Sequence, residues 1–130
     1  GATTKTSPLG NEEHPFDMFK LVTGAGATYY ARASVTHPIQ LDKAIEEGIK
    51  HKGFSFIEVL SPCPTTAGRN IFNFKTPGEM YDWYEAQVSV LKPGETESPD
   101  GKIGLGILLN DTCKEELCDV QAEKKEAAKK

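Results

Sequence analysis

Gly53-Phe-Ser-Phe-Ile-Glu-Val-Leu-Ser-Pro-Cys-Pro-Thr65 is the stretch of this chain that decides the fold. Residues 54–60 are apolar at both alternating positions and rich in aromatic and β-branched side chains, which is typical of a strand buried on both faces in a parallel sheet. Two prolines then flank Cys63, remove two backbone donors and fix two φ angles, so this cysteine is held on a stiff turn. The turn follows the carboxyl end of a strand, where open α/β sheets bind their ligands.

The residues before this stretch complete a βαβ unit. Residues 27–35 form a predicted strand, and residues 38–52 form a predicted helix with Pro38 at its first position and Gly53 as its C-cap. The helix has one apolar stripe at helical spacing, made of Ile39 or Leu41, then Ala44, Ile45, Gly48 and Ile49. The two strands are expected to be parallel, with a right-handed crossover.

Weaker patterns predict the other elements. Pro15 can open a helix, with His14 as a weak cap, and Gly24-Ala-Gly26 ends it. Residues 65–76 are predicted to be a loop. The capping box Thr76-Pro-Gly-Glu79 opens a helix that runs to about Leu91 and is stopped by Lys92-Pro-Gly. Its packed stripe is Met80, Trp83 or Tyr84, Gln87 or Val88, and Leu91.

The C-terminal third of the chain is less regular. Residues 93–101 form a polar linker, and residues 102–109 form a short strand or extended arm whose glycines indicate close approach of another segment. Residues 113–130 are rich in Ala, Glu and Lys, which predicts a solvated helix or a frayed tail.

Composition excludes several classes of protein. The 130 residues suit one domain or part of one, and the net charge of −4, with both signs interspersed, does not indicate a nucleic-acid partner. No apolar run approaches the ~20 residues of a membrane span, and no signal peptide is recognised. Three cysteines argue against a disulfide scaffold and for a reducing, cytoplasmic location.

Cys63 is the best single candidate for chemistry, as a nucleophile or as a metal ligand, and the alternative is a buried structural cysteine. Cys113 and Cys118 have four residues between them, a poor match to zinc sites, and are interpreted as incidental. The three histidines each have a local structural explanation, so no catalytic dyad is predicted. Arg32 is either an anion contact or, more simply, one half of an ion pair.

The chain resembles a known family over residues 1–91. Residues 15–32, Pro-Phe-Asp-Met-Phe-Lys-Leu-Val-Thr-Gly-Ala-Gly-Ala-Thr-Tyr-Tyr-Ala-Arg, and the stretch from His51 to Thr65 resemble the beta subunit of 2-oxoacid:ferredoxin oxidoreductases. The opening Thr3-Thr-Lys-Thr-Ser-Pro-Leu-Gly-Asn11 looks like the loop beside the thiamine diphosphate site in that subunit. Residues 68–84 are more similar to the 2-oxoglutarate branch than to the pyruvate branch.

The resemblance implies an oxidoreductase that converts 2-oxoglutarate and coenzyme A to succinyl-CoA and carbon dioxide, reversibly, with electrons passing to ferredoxin. It implies thiamine diphosphate, Mg²⁺ and a [4Fe–4S] cluster as cofactors, with an alpha subunit and ferredoxin as partners. Cys63 matches a cluster ligand of the family, and Thr3 and Thr4 match the loop near thiamine diphosphate. The alternatives are a pyruvate or broad 2-oxoacid enzyme, or a non-catalytic α/β interaction module.

Two motifs of the family are missing from this chain. It contains neither a Cys-x-x-Cys nor the Gly-Asp-Gly…Asn motif that holds Mg²⁺ and diphosphate, so we expect a C-terminal portion that is inactive alone and marginally stable or adhesive. The expected fold is α/β, a parallel-sheet βαβ fragment of a thiamine-diphosphate-binding fold with a C-terminal helix and extended arm. Residues 1–66 are expected to belong to the thiamine-diphosphate-binding domain and residues 67–130 to a C-terminal extension.

Overall fold

A four-stranded sheet lies at the centre of the structure, a computed structural model that describes residues 1–92 and 95–129. The elements in chain order are α1 (Met18–Gly24), β1 (Tyr29–Ser34), α2 (Pro38–Lys50), β2 (Ser55–Leu60), a single π-helical turn (Pro64–Gly68), α3 (Pro77–Ala86), β3 (Val88–Val90), β4 (Ile103–Asn110) and α4 (Leu117–Ala127). The strands lie in the order β2-β1-β4-β3.

The predicted βαβ unit is confirmed. Strands β1 and β2 are parallel, in register from Tyr29 opposite Ser55 to Ser34 opposite Leu60. Helix α2 packs on β1 through buried Ala44 and Gly48, and the hydroxyl of Tyr29 donates to the carbonyl of Ala44 at 2.9 Å. The predicted stripe is wider than the packed face, since Ile39, Ile45 and Ile49 are exposed.

The predicted extended arm is an internal strand of the sheet. Strand β4 runs antiparallel to β1 and parallel to β3, so the sheet is mixed. The close approach that its glycines indicated is also confirmed, because a Cβ built on Gly104 would lie 2.7 Å from Leu91 Cδ1. Because Gly104 has no side chain, Leu91, which follows β3, can pack directly against the backbone of β4.

The predicted helix from residue 77 to residue 91 is wrong in its second half. Helix α3 begins at Pro77 with Thr76 as its N-cap, as predicted, but it ends at Ala86 and residues 88–90 form β3. Val88 is buried, and the carbonyl of Gln87 accepts from the amide of Ile103 at 3.0 Å. Pairing with β4 therefore overrides the helical period. The predicted stop at Lys92-Pro-Gly includes residues 93–94, which lie outside the described residues.

Three further features differ from the prediction. Helix α1 begins after Asp17, whose carboxylate accepts from the amide of Lys20 at 3.0 Å, so Asp17 rather than His14 is the cap. The predicted loop after residue 64 starts with the π-helical turn. Strand β2 was expected to be buried on both faces, but it lies at the sheet edge and is half-buried. The C-terminal residues do form a helix, α4, which has no buried residue.

Candidate functional site

Cys63 lies where the sequence placed it, three residues beyond the last residue of β2. It is the N-cap of the π-helical turn, and its carbonyl accepts from the amide of Gly68 at 2.9 Å. Its thiol is exposed, with Sγ 3.7 Å from the hydroxyl oxygen of Thr65. Among the described residues Cys63 is therefore not buried, and its sulfur is accessible.

The backbone of the turn makes Cys63 acidic. Hydrogen bonding by the amide of Ala67, then by the amide of Thr66 and the hydroxyls of Thr65 and Thr66, lowers the pKa of Cys63 to about 7. A thiolate is the form that attacks electrophiles and binds metals, so a large fraction of Cys63 is in that form near neutral pH. No histidine or lysine is needed for this effect, because the donors are supplied by residues of the turn itself.

The other cysteines lack this environment. Cys113 and Cys118 are exposed and free, and the hydrogen bond and charge of Glu116 raise the pKa of Cys118. Within residues 1–92 and 95–129, no three His, Cys, Asp or Glu side chains are grouped so that they could hold a metal ion. Cys63 can thus serve as one ligand of a metal centre but cannot form such a centre with the neighbours described here.

The N-terminal loop and the π-helical turn meet at one cavity. Thr3 and Thr4 line a cavity of about 720 Å³ together with Thr66 and Asn70, and the other lining residues are Lys5, Thr6, Pro8 and Ile71. The loop has internal order, since the amides of Thr4 and Ser7 each donate to the carbonyl of the other, at 3.1 and 3.2 Å. The structure therefore brings the two segments that the sequence singled out to one region, although about sixty positions separate them in the chain.

Arg32 forms the ion pair that the simpler interpretation predicted. Its Nε lies 2.6 Å from Oε2 of Glu58, and the hydroxyl of Tyr30 donates to the same oxygen at 2.5 Å. Tyr30 is fully buried. Sequence reasoning missed the tyrosine because no periodic pattern shows that residues 28 positions apart share a carboxylate. The signal that could have found it is the lone acid in an otherwise apolar strand.

No helix in the described part of the chain is long and apolar enough to cross a membrane.

Comparison with known proteins supplies the family. Residues 1–59 match the family model described as "Thiamine pyrophosphate enzyme, C-terminal TPP binding domain". The 2-oxoglutarate synthase subunit KorB of Methanothermobacter thermautotrophicus is 39% identical over 95% of this chain and 45% of its own length. KorB of Methanocaldococcus jannaschii is 40% identical over 85% of this chain and 42% of its own length.

The chain belongs to the 2-oxoacid:ferredoxin oxidoreductase beta subunits. A solved member, the 2-oxoglutarate:ferredoxin oxidoreductase from Magnetococcus marinus with 2-oxoglutarate, coenzyme A and succinyl-CoA bound, superposes with a TM-score of 0.73 at 26% identity. The match covers 97% of this chain and 44% of that one. The chain therefore spans less than half the length of these beta-subunit relatives, and it is most similar to the 2-oxoglutarate branch.

Proposed function

We propose that this chain is part of a 2-oxoglutarate:ferredoxin oxidoreductase, which decarboxylates 2-oxoglutarate, transfers the succinyl group to coenzyme A and delivers the electrons to ferredoxin, reversibly. The observation that carries the proposal is the identity of about 40% with 2-oxoglutarate synthase subunits over nearly the whole chain. When bound, thiamine diphosphate would supply the electron sink for loss of carbon dioxide, and a [4Fe–4S] cluster would take up electrons one at a time.

The described residues of this chain can supply one of the ligands of the cluster. A [4Fe–4S] cluster is held by four thiolates, and Cys63 offers an exposed sulfur whose pKa is already lowered by the amide of Ala67 and its neighbours. The described part of the chain offers no group of further ligands, so the other three would come from the remainder of the full-length subunit. The stiff turn fixes the direction of this thiolate, which reduces the conformational entropy lost on ligation.

The chain would contribute less to the thiamine diphosphate site. It lacks the Gly-Asp-Gly…Asn motif, so Mg²⁺ and diphosphate would be held elsewhere in the subunit. Thr3 and Thr4, with Lys5 beside them, line the cavity next to the turn that carries Cys63. In our proposal this loop would form part of the wall of the cofactor site and would help to exclude water from it.

The proposal is tested in the full-length beta subunit assembled with its alpha subunit. Reduction of ferredoxin should require both 2-oxoglutarate and coenzyme A, and pyruvate should be a poor substitute. Cys63→Ser should lower iron and acid-labile sulfide per subunit, whereas Cys113→Ser, a matched exposed cysteine, should leave both unchanged. Equal iron in the two variants would remove Cys63 from the ligand set, and equal rates with pyruvate would favour a broad 2-oxoacid enzyme.

Two expectations accompany this proposal. We propose a cytoplasmic location, because three free cysteines and no disulfide scaffold suit a reducing compartment. We also propose that the thiamine-diphosphate-binding domain ends at residue 66, close to residue 59, where the family match ends. It is not a division into independent folding units, because β4 pairs with β1 across it.

A further inference from the structure

The side chain of Thr65 contacts the sulfur of Cys63. Its hydroxyl oxygen lies 3.7 Å from Sγ, and within residues 1–92 and 95–129 this sulfur is the one hydrogen-bond partner of the hydroxyl. A cysteine sulfur that is a thiolate or a metal ligand carries no proton, so Thr65 is then the donor of this bond. The hydroxyl is therefore directed at the atom that would bind iron.

The π-helical turn holds this contact in place. Pro64, between Cys63 and Thr65, has a fixed φ angle. The turn is closed by the amide of Gly68, which donates to the carbonyl of Cys63 at 2.9 Å. Buried Met80 of α3 packs against Gly68, where an added Cβ would lie 2.9 Å from the Met80 sulfur. The backbone therefore has little freedom to carry the hydroxyl away from the cysteine sulfur.

Hydrogen bonds to ligand sulfurs are one of the factors that set the reduction potential of an iron–sulfur cluster. One-electron reduction adds a negative charge to the cluster, and part of that charge lies on the sulfurs. A hydrogen-bond donor at a sulfur therefore stabilises the reduced cluster more than the oxidised one, and its removal makes the reduction potential more negative.

We propose that the hydroxyl of Thr65 raises the reduction potential of the cluster that Cys63 would bind, through its hydrogen bond to the cysteine sulfur. Thr65 acts through Cys63 as a positioning residue and does not itself bind iron. This inference rests on the proposed function, in which Cys63 is a cluster ligand. A more negative potential would make the cluster a poorer acceptor of electrons from the substrate and a better donor to ferredoxin.

The test is a redox titration of the full-length beta subunit assembled with its alpha subunit, followed by the electron paramagnetic resonance signal of the reduced cluster. Thr65→Val and Thr65→Ala remove the hydroxyl, and Thr65→Ser keeps it. Thr112→Val removes an exposed hydroxyl from the loop after β4 as a matched control. The signal that Cys63→Ser abolishes or alters identifies the cluster, and iron and acid-labile sulfide show that each variant contains it.

At the midpoint potential of the wild type, Thr65→Val and Thr65→Ala should each lower the ratio of reduced to oxidised cluster about threefold, since one weak hydrogen bond is lost. Thr65→Ser and Thr112→Val should leave this ratio unchanged. Equal ratios in Thr65→Val and Thr112→Val, or an equally large shift in Thr65→Ser, would overturn the inference and leave the proposed function intact. A cluster signal that Cys63→Ser leaves unaltered would overturn both the ligand role of Cys63 and this inference.

Discussion

Replacing Tyr30 with Phe tests whether the buried network on the sheet stabilises the fold. The substitution removes one hydroxyl and leaves the ring, which packs edge-on against Phe19 and stacks on Phe56. The lost contact is the hydrogen bond from the hydroxyl to Glu58, at 2.5 Å. Because Tyr30 is fully buried, no water replaces its hydroxyl when that bond is removed.

The expected loss of stability depends on the contacts that Glu58 keeps after the hydroxyl of Tyr30 is removed. A hydrogen bond to a charged group contributes about 1.5–3 kcal/mol to stability. Glu58 keeps its ion pair with Arg32 at 2.6 Å, and its side chain is 22% exposed, so water compensates part of the loss. We therefore expect the lower end, a decrease of about 1.5 kcal/mol in the free energy of unfolding.

The assay is urea denaturation of the chain at low concentration, followed by the fluorescence of Trp83, its single tryptophan. Tyr84→Phe is the matched control, because the hydroxyl of Tyr84 forms no hydrogen bond within residues 1–92 and 95–129, and it should change the free energy by less than about 0.5 kcal/mol. Equal effects of the two substitutions would refute the reasoning.

The same variant has a defined pH dependence. Burial, aided by the hydrogen bond to Glu58 and its charge, raises the pKa of Tyr30 to about 12, whereas the unfolded chain ionises near the usual tyrosine value of about 10. The stability from this group is therefore complete below about pH 10 and is lost as the pH rises through about 12. The difference between wild type and Tyr30→Phe should narrow over that window. A difference that stays constant would contradict the assigned environment.

Three further predictions concern other parts of the chain. Gly48→Ile should destabilise the fold by about 2 kcal/mol in urea denaturation, because even a Cβ at this position would lie 2.9 Å from Ile57 Cδ1; unchanged stability would contradict the close packing of α2. Alkylation of Cys63 by iodoacetamide should reach half its maximal rate near pH 7, and that of Cys118 at a clearly higher pH, when followed by peptide mass spectrometry; coincident profiles would exclude the role of the turn. Thr76→Ala should lower the free energy of unfolding by about 1 kcal/mol, because the threonine hydroxyl caps α3, and Thr76→Ser should restore most of it.

The sequence was sufficient where local chemistry decides the structure. Pro38 at the first helical position marks the start of α2, and the apolar runs on either side form its two strands. The helix ends at Lys50 with His51 as its C-cap, two residues before the predicted cap at Gly53. Residues 88–90 were assigned to a helix because they continue a helical stripe. They are a strand only because β4, thirteen or more residues further along the chain, pairs with them, and no local pattern contains that partner.

The mismatch at β2 has a similar cause. Its apolar composition predicted cover on both faces, yet among the described residues it pairs only with β1, and Val59 on it is 43% exposed. Composition reports the contacts that a strand makes in its whole protein, and this chain spans less than half the length of its relatives. The predicted burial of β2 on both faces is therefore wrong for the described residues, and the pattern does not say which segments would cover it.

The sequence likewise predicted only part of the candidate site. Sequence reasoning located Cys63 on a stiff turn, because two flanking prolines act through covalent geometry alone. It did not show why a cysteine without a histidine or lysine beside it should be acidic. In the structure, hydrogen bonding by the amides of Ala67 and Thr66 in the π-helical turn lowers the pKa of Cys63, so backbone donors stabilise the thiolate. Loss of the Thr65 and Thr66 hydroxyls should therefore remove only part of this stabilisation, provided that the turn is kept. The turn, rather than a neighbouring histidine or lysine, therefore sets the acidity of Cys63.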